Sequence, residues 1–467
     1  MKYSDAVAGI PWDSIEAIRK RLEGSVALHY IDGRFVESAA TFPTLDPSTN
    51  QVLSHAARGG AKEVDLAAQA AARAFEKWSR TRAKERKRHL LKVAELIEKH
   101  ADELAVIECL DAGQVLRIVR AQVGRAAENF AFYAEYAEHV MEGHTYPVDR
   151  EWLNYTLRVP VGPVGVITPW NAPLMLSTWR IAPALAAGDT VILKPAEWSP
   201  LTATRLAEIL QEADLPPGVF NVVHGFGERA GAPLVAHPGV QLISFTGETA
   251  TGIEIMRNGA ATLKRYSMEL GGKNAAIVFP DADLEQALDG VIWQAFSLNG
   301  ERCTANSRLL LHRSIYEEFL GHLFERVAAI RVGDPFDPQT EVGPLIHPEH
   351  WQRVRGYMEV ARSEGATIAL GGDRPPHLPE GNYFAPTVIV DARPEMRVAQ
   401  EEIFGPVLVV LPFETEEEAI RIANGVKYGL AAYIWTRDLV RAHRVAQAME
   451  VGMVWINAPN VRDLRTP

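Results

Sequence analysis

PVGVITPWNAPLMLSTWRIAPALAAGDTVILKP, residues 163–195, decides the architecture. Its two ends are short apolar, β-branched runs, and the segment between them is helix-like. The alternation continues through PLTATRLAEILQEA (200–213), VFNVVHG (219–225), ERAGAPLVAHPG (228–239) and LISFTG (242–247). Strands that are apolar along their whole length, alternating with helices, are the sequence form of a parallel sheet covered on both faces. Ligands bind such sheets beyond the carboxyl ends of the strands, so the residues that follow each run carry the functional information.

A second series starts at Asn274: AAIVF (275–279), SRLLLH (307–312), PTVIVD (386–391), FGPVLVVLPF (404–413), AAYIWT (431–436) and VGMVWINAP (451–459). Helices such as DLEQALDGVIWQAFSLNG (283–300) and SIYEEFLGHLFERVAAI (314–330) separate them. Before Pro163 the chain is helical. AKEVDLAAQAAARAFEKW (61–78) and HLLKVAELIEKHADELAVIECL (89–110) space apolar residues by three and four, and a third helix is expected from about Ile118 to Val140. GHTYPVDREWLNYTLRVPVG (143–162) alternates instead, as extended strands joined by a turn. The expected fold is α/β: two doubly wound domains joined near Glu269–Lys273, plus a small β element.

Lys and Arg number 48 against 59 Asp and Glu, a formal charge of −11 that disfavours nucleic acid as a partner. The one basic run, RTRAKERKRHLLK (80–92), reads as the solvated face of a helix. The first twenty residues lack the continuous apolar stretch of a secretory signal, and no segment suits a bilayer. Two cysteines give neither a disulfide framework nor metal spacing, so a cytoplasmic location with reduced thiols is expected. His347 and His350 of HPEHW are expected in a loop beside Pro348, and no metal is assigned to them.

Cys109 sits in the apolar LAVIECL (104–110), whereas Cys303 in SLNGERCTAN (297–306) has Glu301, Arg302 and Asn306 around it, a setting for a reacting thiol. HGFGERAGA (224–232) spaces Gly225, Gly227 and Gly231 one residue wider than the dinucleotide fingerprint. It reads either as a phosphate-approaching turn or as a turn glycine with helix packing. In FTGETATG (245–252) Gly247 permits a tight turn, and Glu248 or Thr249 opens a helix whose N–H groups suit a pyrophosphate. LKPAEWSP (193–200) places Lys194 and Glu197 after a buried strand. They are either a surface salt bridge or a ribose site whose carboxylate repels a 2′-phosphate and so favours NAD over NADP. Asn171 of TPWN (168–171) has an amide able to donate to an oxyanion. MELGGKN (268–274) sets Glu269 beside two glycines.

In this order and at these separations, TPWN, KPAEWSP, FTGETATG, MELGGKN, NGERC and EEIFGPV (401–407) resemble the motifs of the aldehyde dehydrogenase superfamily, from about Tyr30 to Pro467. The resemblance implies a Rossmann-like NAD-binding domain over 1–140 and 161–270 and a catalytic domain over 271–467. It also implies oligomerisation strands over 141–160, whose C-terminal partner strand is absent from this chain. By the same resemblance Cys303 is the nucleophile, Glu269 the general base and Asn171 an oxyanion donor. Lys194 and Glu197 would meet the adenosine ribose of NAD, and Phe245, Thr246 and Gly247 its pyrophosphate. Thr168, Pro169, Trp170, Gly227 and Leu270 would be further cofactor contacts, and Glu402 and Phe404 would hold the nicotinamide half.

Met175, Trp179, Arg125 and Arg462 fall where family members line the substrate pocket. Arginine in an apolar cavity is costly unless an anion arrives, and a carboxylate matches its guanidinium in a bidentate pair. Alternatively, each arginine pairs with a protein acid such as Asp463 or Glu128. NVRDLRTP (460–467) resembles the semialdehyde dehydrogenases of aromatic meta-cleavage pathways. The implied substrate is 5-carboxymethyl-2-hydroxymuconate semialdehyde, from homoprotocatechuate breakdown; 2-hydroxymuconate and succinate semialdehydes are the alternatives. A cysteine esterase without redox chemistry is the rival class, and it would leave Lys194, Glu197 and Glu402 without purpose. The resemblance also implies a homodimer or homotetramer.

Overall fold

A computed structural model describes residues 10–139 and 142–466. Two compact units make up the chain, one from 1–46, 51–112 and 116–269, the other from 47–50, 113–115 and 270–467.

In the first unit the strands of the large sheet are β1 (His29–Ile31), β2 (Arg34–Val36), β3 (Pro163–Ile167), β4 (Thr190–Lys194), β5 (Phe220–Val222), β6 (Leu242–Thr246) and β7 (Arg265–Glu269). The early chain is not all helical, since Val26–Ala27, Val52–Ala57 and Thr41–Leu45 form a separate three-stranded sheet. The large sheet is ordered β7-β6-β3-β4-β5-β1-β2. β7 to β5 run parallel, and β1 and β2 add antiparallel edges. Ile167 pairs with Lys194 and Thr246 with Glu269, so these strands share one carboxyl edge. The helix Ala61–Trp78 has the bounds its periodicity predicts. The stretch 89–110 is not continuous, however: the helix Ala83–Lys99 ends at His100 and a new one, Ala101–Ala112, begins. A third helix spans Leu116–Tyr136; its expected end at Val140, and the reading of residues 1–9, lie outside the described residues. In place of one helix over 228–239, a π-turn Gly227–Gly231 leads into the short helix Ala232–Ala236. Thr145–Pro147 and Leu153–Tyr155 form an antiparallel hairpin.

The basic run needs one correction. Arg86 is buried, its Nε donating to Ala186 O at 3.0 Å and its guanidinium also to Thr81 O. Buried carbonyls near the end of the helix Pro173–Ala187 need donors, and Arg86 supplies one from another element.

In the second unit β8 (Ala275–Val278), β9 (Arg308–His312), β10 (Thr367–Leu370), β11 (Thr387–Val390), β12 (Val407–Phe413), β13 (Ala431–Trp435) and β14 (Met453–Ile456) form a sheet ordered β10-β11-β12-β9-β8-β13-β14. Only β10 is antiparallel. Ala275, Ile277 and Leu310 belong to one apolar cluster, while Ala276, Val278, Leu309 and Leu311 belong to another. Successive residues of one strand point to opposite faces, so this sheet is covered on both sides. HPEHW is not a loop: His347 caps the helix Pro348–Ser363, its Nδ1 accepting from the Glu349 N–H, and His350 is buried within that helix. Among the described residues no helix is long and apolar enough to cross a membrane.

Candidate active site

At the carboxyl edge of the first sheet, each strand end is followed by residues singled out by the sequence. After β3, the Thr168 N–H donates to Lys194 O at 3.2 Å and Thr168 Oγ1 accepts from Ser177 Oγ at 3.2 Å. Trp170 O accepts from Ser199 Oγ, and the Trp170 ring lies 5.7 Å from that of Trp198; Pro169 precedes it in the same turn. Asn171, 5% exposed, stands just ahead of the helix Pro173–Ala187. Asn129 pins the opening of that helix, donating to Met175 O and Thr178 Oγ1. Arg125, Met175 and Trp179 are each half-buried in this unit.

After β4, Lys194 Nζ meets Glu197 Oε2 at 2.8 Å, with the lysine side chain 4% exposed and the glutamate 32%. The pair is therefore an ion pair in fact, yet its carboxylate keeps an accessible face. After β6, the Gly247 N–H donates to Glu269 O, and a Cβ at Gly247 would fall 2.6 Å from the Phe245 ring. Thr246 ends the strand and Glu248 is the N-cap of the helix Thr249–Gly259. Thr249 Oγ1 is buried there without a hydrogen-bond partner. A helix start with an orphan hydroxyl and unspent N–H groups suits an anion. Gly227 differs, since a Cβ there would meet nothing within 4 Å.

Glu269 closes β7 with its side chain 52% exposed and 3.8 Å from Arg180. Arg180 also donates to Thr246 Oγ1 and Ser267 Oγ, both at 3.2 Å. Sequence reasoning missed Arg180; the available signal was a cation beside Trp179 in an otherwise apolar helix.

In the second unit Cys303, half-buried, follows three residues in left-handed conformation: Leu298 (φ 55°), Asn299 (φ 57°) and Gly300 (φ 71°). Asn299 holds that turn by donating to Gly113 O and Pro344 O and accepting from the Gly343 N–H. A Cβ on Gly300 would come within 2.3 Å of the Gly405 carbonyl carbon. Asn274 donates to Cys303 O and Ala305 O, both at 2.8 Å, and so fixes the thiol's main chain on either side. The Arg302 guanidinium lies over Trp293 at 4.7 Å and bonds Ser297 Oγ and Thr304 Oγ1.

Glu301 is fully buried, accepting from the Ile346 N–H and Gln114 Nε2, and burial raises its pKa well above the usual carboxyl range. His350 Nε2 contacts it at 3.7 Å and donates to Phe404 O at 2.7 Å. Burial lowers this histidine to about 4, so it is neutral. Neither Glu301 nor His350 was foreseen in this support. Phe404 itself has φ 63°, a strained conformation for a bulky residue and one that occurs at functional sites. Glu402 Oε1 accepts from the Gly272 N–H at 2.9 Å. A Cβ on Gly271 would strike Glu402, and one on Gly272 would strike Cys303 O, at 2.1 and 2.7 Å. The two glycines that follow Glu269 and Leu270 thus make room for Glu402 and for the main chain of the cysteine.

Arg462, half-buried, donates from Nε to Asn460 Oδ1, while Asp463 closes on Arg465, which holds its carboxyl down at about 2. Among the described residues no group of three or more His, Cys, Asp or Glu is placed to hold a metal ion.

Residues 35–467 match the aldehyde dehydrogenase family model. The chain is 49% identical over 443 residues to 5-carboxymethyl-2-hydroxymuconate semialdehyde dehydrogenase of Escherichia coli, covering 94% of each. It is similar to the crystal structure of HpcC from Thermus thermophilus, at 68% identity and a TM-score of 0.97, covering 100% of this chain and 92% of that one. Betaine aldehyde dehydrogenase from Staphylococcus aureus in complex with NAD+ is 39% identical with a TM-score of 0.95, over 97% and 91% of the two chains. The chain belongs to the aldehyde dehydrogenase family.

Proposed function

We propose that this protein is an NAD-dependent dehydrogenase that oxidises the aldehyde of 5-carboxymethyl-2-hydroxymuconate semialdehyde to a carboxylate: RCHO + NAD+ + H2O → RCOOH + NADH + H+. The observation that carries the reading is identity across nearly the whole length of both chains with the relative of that name. The first unit is the cofactor domain and the second the catalytic domain.

The Cys303 thiolate attacks the aldehyde carbonyl, and the Asn171 amide donates to the oxyanion so formed. NAD, when bound, supplies the acceptor for the hydride that leaves as this centre collapses to a thioester on Cys303. Glu269 takes a proton from water, and the hydroxyl equivalent releases the acid and restores the thiol. The residues present fit the cofactor. The orphan Thr249 hydroxyl and first-turn N–H groups after Phe245, Thr246 and Gly247 suit a pyrophosphate, and the half-open carboxylate of Glu197, held by Lys194, suits ribose hydroxyls. Thr168, Pro169, Trp170, Gly227, Leu270, Glu402 and Phe404 would be its further contacts. Arg125 and Arg462, with Met175 and Trp179, receive the substrate, the arginines taking its carboxylates.

The protein acts in the cytoplasm as a homodimer or homotetramer. The hairpin at 145–155 and the residues after it support assembly, since Trp152 is 67%, Leu157 72% and Val159 70% exposed. Light scattering that gives a monomer mass would remove this element.

The test is NADH absorbance with a panel of aldehydes. Turnover is expected to be best with 5-carboxymethyl-2-hydroxymuconate semialdehyde, ahead of 2-hydroxymuconate and succinate semialdehydes, and poor with a neutral aldehyde. Ester hydrolysis without NADH formation would replace the reading with a cysteine esterase.

A further inference from the structure

Two carboxyl groups take no part in the chemistry above. Glu108 and Asp111 lie one turn apart on the helix Ala101–Ala112, both 0% exposed. Glu108 Oε2 accepts from the Leu174 N–H at 3.2 Å, and Asp111 Oδ2 from the Leu201 N–H at 2.9 Å. Those amides open the helices Pro173–Ala187 and Leu201–Glu212, whose N-cap residues, Ala172 and Pro200, make no side-chain cap. A third helix therefore supplies what the local sequence withholds from both. Each helix start also trails a proposed ligand segment: Asn171 lies three residues before Leu174, and Lys194 and Glu197 lie on the run into Leu201.

Resting on the roles proposed for Asn171, Lys194 and Glu197, we infer that Glu108 and Asp111 are positioning residues. Glu108 fixes the oxyanion-donor segment and Asp111 fixes the adenosine-ribose segment. The remaining oxygens, Glu108 Oε1 and Asp111 Oδ1, have no hydrogen-bond partner, so each side chain spends its one bond on a helix start. Burial raises Glu108 to about 8 and Asp111 well above its usual range, which makes each a neutral acceptor that an amide can imitate.

The experiment compares apolar and amide variants by kcat and by the Kd for NAD from fluorescence quenching. Glu108→Leu is expected to lower kcat by roughly tenfold or more with a much smaller rise in the Kd for NAD, the rise reflecting Thr168–Trp170 in the same segment. Asp111→Leu is expected to raise that Kd by about fivefold or more, with kcat kept at saturating NAD. Glu108→Gln and Asp111→Asn should each recover most of the loss. Should a Leu variant not fold, Glu108→Met and Asp111→Val are read by the same two measurements. Equal losses in both readouts, no change in either, or no recovery by the amides overturns the inference. Asn171→Ala and Lys194→Ala serve as controls. If they respond and the acid variants do not, the positioning role alone is wrong; if the controls are silent, the site reading falls and takes this inference with it.

Discussion

Gly300 and Gly227 look alike in sequence and differ in what the protein demands of them. Gly300 has φ 71° and no room for a methyl beside Gly405. Gly300→Ala is expected to cost more than ~2 kcal/mol in urea denaturation and to alter the rate at which Cys303 reacts with a thiol reagent. Gly227→Ala meets open space, so its urea midpoint should stay put, within about 0.5 kcal/mol. A higher Kd for NAD in that variant would mean that the ligand alone requires the glycine. An unchanged Kd would return Gly227 to a simple turn. Arg462→Leu should raise KM for the carboxylated substrate roughly 10- to 150-fold, the equivalent of about 1.5–3 kcal/mol, while a neutral aldehyde is almost unaffected; equal loss on both removes Arg462 from the anion site. Asn171 and Glu269 could be singled out as candidates because polar groups stand where apolar runs end, and Cys303 because polar residues surround it. The buried roles of Arg86, Glu301 and His350 were not legible, because each rests on a main-chain group brought in from a distant segment: Ala186 O, the Ile346 N–H and Phe404 O.

Periodicity carried the element scale further than cap chemistry did. The helix Ala61–Trp78 follows from its three- and four-residue spacing, and both sheets follow from continuous apolar runs. The break at His100 and the π-turn at Gly227–Gly231 did not, since packing against other elements decides where a helix divides. The short strands β1, β2, β7 and β10 escaped notice: β1 enters the sheet through β5, far away in the chain, and β2 follows it across the Asp32–Gly33 turn, a local signal that periodicity does not read. Where a cap is local, its worth can be stated. Asp438 accepts from the Val440 and Arg441 N–H groups at 2.9 and 3.0 Å and opens the helix Leu439–Ala448. Asp438→Ala should therefore cost about 1 kcal/mol of stability, read as a lower urea midpoint with an unchanged slope. No shift would mean that water satisfies those amides equally well.

Across the whole molecule, the buried ionisable groups set an unusual pH dependence. Burial lowers His29 and His350 to about 4 and His224 to about 3. Between those values and 6.5 the unfolded chain binds more protons, so these groups remove stability as pH falls. Burial raises Glu108 to about 8 and moves Asp111 and Glu301 in the same direction. From their unfolded values upward the folded chain binds more protons, so these acids remove stability as pH rises. Below 6.5 the histidines and acids oppose one another; above it the acids act alone as far as about 7, and Glu108 finishes near 8. Lys273, lowered by burial to about 7, begins to restore stability only above that value. The urea midpoint is therefore expected to be highest on the acid side of neutrality and to decline from pH 6.5 to about 7, where Lys273 begins to oppose the acids. Glu108→Gln, which cannot titrate, should flatten part of that decline. A midpoint that climbs through the same window would mean that Glu108 is ionised in the folded protein, against the low dielectric in which it lies.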